Sequence, residues 1–160
     1  QFYTARDITA FDYAGQQYRP LGFPAAPVKA ESLLTPAGRR YRVTTREQTL
    51  VDCLGRLALA GGPENALRSV GGFRHVDQGG LLALAEASSA SLRARLGWVL
   101  QAKAAAWDVA DPTLTSIANS LGGGPYFFSP SNRSGERHWV KRWKLYLPAP
   151  EPEMISWLNQ

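Results

Sequence analysis

Glu47 and Asp52 are the carboxylate pair in this chain that invites a catalytic reading, because two carboxylates facing one gap can share general acid and base work. Their spacing argues against it: five positions along a helix set side chains about 140° apart around the axis, so the two do not converge on one substrate atom. Glu47 reads most simply as a helix-capping residue. Asp52, an aspartate inside a helix, needs a specific partner to offset its poor helix propensity. A hydrogen bond to a neighbouring loop or strand is favoured for it over contact with another protein, and catalysis comes last. His75 and His138 lie far apart, and neither has a carboxylate or cysteine at metal-ligand spacing, so no metal site is expected. No serine sits in a Gly-x-Ser-x-Gly elbow. Gly122-Gly123-Gly124 is followed by neither Lys-Ser nor Lys-Thr and leads into a strand, which makes it a turn rather than a phosphate loop. No catalytic residue and no cofactor are predicted.

Charge offers more than catalysis does. Eighteen basic against thirteen acidic residues give a net charge of +5, and the excess is clustered. Arg39, Arg40, Arg42 and Arg46 form one group; Arg133, Arg137, Lys141, Arg142 and Lys144 form another. Such groups suit a phosphate backbone or an acidic protein face, or are simply solvated surface. In the second group basic and aromatic residues interleave from Arg137 to Tyr146, as in surfaces that stack bases on tryptophan. Period-two alternation, however, puts Trp139 and Trp143 on the side of Leu145 and Leu147. That predicts core tryptophans, with His138, Val140, Arg142, Lys144 and Tyr146 outside and Lys141 at an edge.

The elements that must position these residues follow from local pattern. Aromatic and polar residues alternate over 2–23 around Ala14-Gly15, predicting a hairpin, and Pro20, Pro24 and Pro27 then suggest an extended connector. A short strand over 41–43 should enter a helix through a capping box of Thr44 with Glu47. Leu50, Val51, Leu54 and Leu57 mark that helix's buried face, and it is expected to end near Gly61-Gly62. Pro63 suits the first position of a second helix reaching about Val70 and stopping at Gly71-Gly72. Asp77 caps a third. A long helix over 89–106 carries Leu92, Leu96, Val99, Leu100 and Lys103 on one stripe, and Asp111-Pro112 opens a short helix with Leu114, Ile117 and Leu121. Strands over 126–129 and 137–147, joined by a loop at 131–135, make a terminal hairpin. The proline-rich tail 148–160 is weakly helical, with Met154, Ile155, Trp157 and Leu158 available to dock on the core. The fold class predicted is α+β: one domain over 1–160, a helical cluster flanked by small N- and C-terminal antiparallel strands.

Three segments carry a family likeness. The run Val43-Thr44-Thr45-Arg46-Glu47-Gln48-Thr49-Leu50-Val51-Asp52 resembles a motif of AbiEi-type antitoxins, which belong to type IV toxin–antitoxin and phage abortive-infection systems of bacteria. Gly61-Gly62-Pro63-Glu64-Asn65 and Arg95-Leu96-Gly97-Trp98-Val99-Leu100 resemble two further segments of that family, in the same order. The likeness spans about residues 40 to 147. It departs at Arg46, where proline is common, and at Gln48, where arginine is common, both expected on the solvent side. The resemblance singles out Glu47, Thr49 and Asp52 as motif residues. It implies a non-catalytic antitoxin domain that helps neutralise a cognate nucleotidyltransferase-like toxin. Operator DNA would be read by a winged-helix domain that family members carry ahead of this region, which implies an excised or truncated C-terminal domain here. Two rival functions are a nucleic-acid-binding domain of a transcriptional regulator and an enzyme that modifies the toxin.

A chain of 160 residues is long enough to bury a core without disulfides. Cys53 is the single cysteine, expected as a small buried hydrophobe, which favours a reducing cytoplasm. No stretch is apolar enough to span a membrane, and the N-terminus lacks a signal-peptide layout.

Overall fold

The computed structural model describes residues 2–4, 6–22, 28–130 and 136–160. The prolines at 24 and 27, the loop at 131–135 and, with it, Arg133 lie outside the described residues. The architecture is α+β, a helical cluster with small sheets toward both ends of the chain.

β1 (Phe2–Tyr3) pairs in parallel with β4 (Pro20–Leu21), and between them β2 (Phe11–Tyr13) and β3 (Gln16–Tyr18) form the expected hairpin. Its turn residues Ala14 and Gly15 both take positive φ, 50° and 74°, the backbone hand that matches strand twist in a tight hairpin. Phe11 stacks on its cross-strand partner Tyr18 at 5.1 Å. A second ribbon follows, β5 (Ala30–Leu34) against β6 (Arg40–Thr44). Pattern reading misses β5 because both of its faces are largely exposed, so no polar–apolar alternation marks it.

The entry into α1 (Arg46–Gly55) differs from the predicted capping box. Thr44 is consumed by β6, where it pairs with Ala30, so the cap moves on to Thr45, whose hydroxyl accepts from the Gln48 N–H at 3.2 Å. Glu47 does not reach back to the cap. Its carboxylate accepts from the Asp77 N–H at 2.8 Å and ties α1 to the start of α3. Thr45→Ala is therefore expected to cost about 0.5–2 kcal/mol, the usual range for an N-cap, read as a lowered urea midpoint. A wild-type midpoint for Thr45→Ala would place the cap elsewhere.

α1 also ends earlier than predicted, at Gly55. Arg56 leaves helical geometry, and a turn through Leu57 and Ala60 leads to Gly61 and Gly62. These glycines take φ of 84° and 97°, so the pair opens the next helix rather than closing α1. α2 (Pro63–Gly71) and α3 (Gln78–Glu86, capped by Asp77) match the pattern. The predicted long helix is interrupted at Lys103, giving α4 (Ala90–Ala102, capped by Ser89) and a short α5 (Ala104–Trp107). In α6 (Asp111–Asn119), Asp111 lies inside the helix and Ala110 occupies the cap position without a side-chain bond.

The C-terminal sheet corrects the predicted two-strand hairpin. The segment 137–147 is not one strand: it reverses at 141–144 into β8 (His138–Val140) and β9 (Leu145–Leu147). β7 (Tyr126–Phe127) lies parallel to β9, so the sheet order is β7-β9-β8. The reversal separates the two tryptophans expected together in the core. Trp143, in the turn, is fully buried, whereas Trp139 is 47% exposed. Val140, expected outside, packs against the core. The tail forms α7 (Glu151–Leu158), which lies on α2 and buries Met154 and Leu158 completely.

One apolar core joins α1, α2, α4, β9 and α7. Two glycines set its closest approaches: a Cβ at Gly97 would overlap the Trp143 ring, and one at Gly71 would overlap the Leu158 carbonyl. Each buried indole donates its N–H, Trp98 to Glu151, Trp107 to the Phe73 carbonyl and Trp143 to Gln101, so these rings are buried without an orphan donor. Cys53 is half-buried against this core, and burial raises its thiol pKa, with Asp52 adding to the rise.

Candidate functional site

The residues of the family-like motifs are occupied within the fold. The Thr49 hydroxyl donates to the Thr45 carbonyl at 2.9 Å and lies 2.7 Å from the Thr44 hydroxyl. Gln48, expected on the solvent side, is only 5% exposed. Its side-chain amide donates to Asp52 at 3.0 Å, and its carbonyl oxygen accepts from the Lys29 N–H at 3.1 Å. Asp52 thus finds its partner in its own helix one turn back, and Gln48 links it to Lys29, just before β5. Burial explains the difference. A glutamine facing the β5 approach has both amide atoms to satisfy, and Asp52 at i+4 supplies the acceptor.

Arg95 is the most heavily used side chain of the Arg95–Leu100 segment. Its guanidinium donates to the Phe127 carbonyl at 3.1 and 3.2 Å and to the Leu54 carbonyl at 2.7 Å. It therefore clamps the end of α1, the middle of α4 and β7 together. Burial lowers its pKa, but three hydrogen bonds to two carbonyl acceptors suit the charged form. Asn65 donates to the Gly61 carbonyl and so closes the glycine turn of the remaining motif.

The two basic groups lie on different elements: Arg40 and Arg42 on β6 with Arg46 opening α1, and Arg137, Lys141, Arg142 and Lys144 before β8 and in the 141–144 turn that leads into β9. Within the second group the structure divides the side chains by use. Arg142 pairs with Asp111 at 3.0 Å and bonds Thr115, and this arginine draws the Asp111 pKa below its ordinary 3.8. The Lys144 ammonium donates to the Gly122 carbonyl at 2.7 Å. Arg137 lies over the rings of Phe127 and Tyr146. Lys141 is exposed in the turn. The basic strip imagined as free charge is thus largely tied into the fold, through partners 22 to 31 residues away that sequence spacing does not reveal.

The N-terminal ribbon is the opposite case. Along β5–β6, Arg40 and Arg42 share one face with Leu34 and Ser32, while Tyr41 shares the other with Leu33. Leu34 is 64% exposed, and Leu33, Tyr41, Arg40 and Arg42 are exposed with it. Ile8, Phe11 and Tyr13 are also exposed in the β2–β3 region. Arg46 opens α1 beside this ribbon and lies 2.7 Å from His75. Among the described residues no group of three or more His, Cys, Asp or Glu side chains could hold a metal, and no helix is long and apolar enough to cross a membrane. Family models, curated proteins and solved structures were all searched, and none matches this chain.

Proposed function

We propose that this chain acts as a binding domain of an AbiEi-type antitoxin and uses the β5–β6 ribbon to engage a nucleotidyltransferase-like toxin. The observation that carries the reading is exposed Leu34 beside Arg40 and Arg42 on one face of a two-stranded ribbon whose other face exposes Leu33 and Tyr41. Exposed apolar side chains and arginines are the residues from which protein interfaces are commonly built. A two-stranded ribbon is marginal in water by itself, so covering it with a partner would stabilise the ribbon and remove apolar surface from water together. The internal role of the motif residues agrees with this division: Thr49, Asp52 and Arg95 hold the fold, and the ribbon carries the contact. In this reading cytoplasmic toxin neutralisation belongs to this domain, and operator binding belongs to a winged helix elsewhere in the full-length protein.

The test is growth rescue in cells producing the nucleotidyltransferase-like protein encoded beside this gene, with the full-length antitoxin supplied in trans. Arg40→Glu with Arg42→Glu should abolish rescue while leaving circular dichroism unchanged, because exposed charges contribute little to folding and like-charge contact across an interface costs several kcal/mol. Full rescue by the folded double variant would reject the ribbon as the toxin-binding face. Failure of the wild-type protein to rescue would reject the antitoxin function.

A further inference from the structure

The hydrogen-bond phase of the β5–β6 ladder fixes what its outer edges offer. The Thr45 N–H donates to the Lys29 carbonyl at 3.0 Å and the Thr35 N–H to the Arg39 carbonyl at 2.9 Å, one bond at each end of the ribbon. With the register between them, these bonds put the odd-numbered pairs, Glu31 with Val43 and Leu33 with Tyr41, in hydrogen-bonded positions. The even-numbered residues therefore turn their backbone N–H and C=O groups away from the partner strand. On β6 these are Arg40, Arg42 and Thr44; on β5 they are Ala30, Ser32 and Leu34. The sheet has two strands only, and among the described residues no backbone group pairs with either outer edge.

Charge distinguishes the two edges. β6 carries exposed Arg40 and Arg42, with Arg39 just before it, whereas the one charged side chain of β5 is Glu31, on the opposite face from Arg40 and Arg42. We infer that the toxin adds an extended strand to the free edge of β6, with acidic side chains across from Arg40 and Arg42. The inference rests on the ribbon being the toxin-binding face and names the kind of segment that binds there. An unpaired edge is a ready template for another strand. Main-chain hydrogen bonds hold the added strand, and its alternate side chains select it. Those lying across from Arg40 and Arg42 share their face, where opposite charges attract and like charges repel. A second copy of this chain fits poorly for that reason, since joining two β6 edges centred on these residues sets arginine across from arginine. A nucleic acid would meet the guanidiniums but leave the backbone groups of the edge unpaired.

Amide hydrogen exchange, read by NMR on the full chain with and without purified toxin, tests the inference. In the complex the Arg40 and Arg42 amides should exchange more slowly by roughly tenfold or more, while those of Ser32 and Leu34, on the other edge, should stay fast. Calorimetric titration supplies a second measurement. Arg42→Pro removes an outward N–H without touching a ladder bond, and Arg42→Thr removes the charge but keeps that N–H. The proline variant should bind toxin roughly 5- to 150-fold more weakly than the threonine variant, the cost of one carbonyl of the added strand left unsatisfied. Slow exchange of the Tyr41 and Val43 amides in free Arg42→Pro checks that the ladder is intact; if it is not, exchange in the wild-type complex decides alone. A complex in which the Arg40 and Arg42 amides stay fast, or equal affinity of the two folded variants, would overturn the strand addition and leave the toxin contact standing. No complex at all would overturn both. Protection of the same amides by raising the concentration of the chain alone, or by a mixed-sequence duplex in place of toxin, would give the edge to a second copy or to DNA and overturn the inference as well.

Discussion

Replacing Arg95 with methionine should destabilise the protein by roughly 3 kcal/mol or more. Hydrogen bonds from a charged donor contribute about 1.5–3 kcal/mol each, and carbonyls left without a donor add their own desolvation cost. Methionine keeps the length of the stem but offers no N–H to the carbonyls of Leu54 and Phe127, which the guanidinium joins across α1, α4 and β7. Lysine should not rescue it. A single ammonium group lacks the planar fork that reaches acceptors on two sides at once. Guanidinium chloride unfolding of wild type, Arg95→Met and Arg95→Lys measures both claims. If Arg95→Lys unfolded at the wild-type midpoint, a point charge would suffice and the clamp would not depend on fork geometry.

The second large effect is expected at Gly97. By helix propensity alone, alanine should stabilise α4 by about 1 kcal/mol. The tertiary contact reverses the sign, because the new methyl would occupy the space of the Trp143 ring. Overpacking a core of this kind costs about 1–3 kcal/mol and occasionally more, so Gly97→Ala should lower the denaturation midpoint clearly. Trp143→Ala removes a fully buried indole and should cost about 3–5 kcal/mol. Combined, the two should cost less than their sum, since the cavity left by the indole receives the methyl. A double-mutant cycle measures that coupling. A midpoint for Gly97→Ala at or above the wild type would show that α4 and the 141–144 turn are not in this close contact.

These two residues also show how far sequence reasoning reaches. Arg95 and Gly97 fall in one of the family-like segments, so their types were visible, but their work was not: the acceptors of Arg95 lie 32 and 41 residues away. The same limit appears in the basic hairpin. Alternation over 137–147 assumed a continuous strand, and the reversal at 141–144 shifted the phase, sending Trp139 out and leaving Trp143 in. That turn has no glycine or asparagine to announce it. Lys144 takes a φ of 47° within it while its ammonium bonds the Gly122 carbonyl, a contact supplied by a distant loop. The capping error at Thr44 has a related cause: two adjacent threonines are equivalent to local chemistry, and only the pairing of Thr44 with Ala30 decides between them.

What the sequence by itself determined is what depends on a few neighbouring residues. The Ala14-Gly15 hairpin turn, the Pro63 start of α2, the Asp77 cap, the start of a helix near Ser89 and the α+β class all follow from backbone preferences and short-range hydrogen bonds. The tertiary structure alone decided which basic side chains are held by internal partners, which tryptophan meets water and which face of Gln48 is buried. Each of these is settled by atoms remote in sequence, because burial and electrostatic pairing depend on distance in space, and local spacing specifies that distance only within an element.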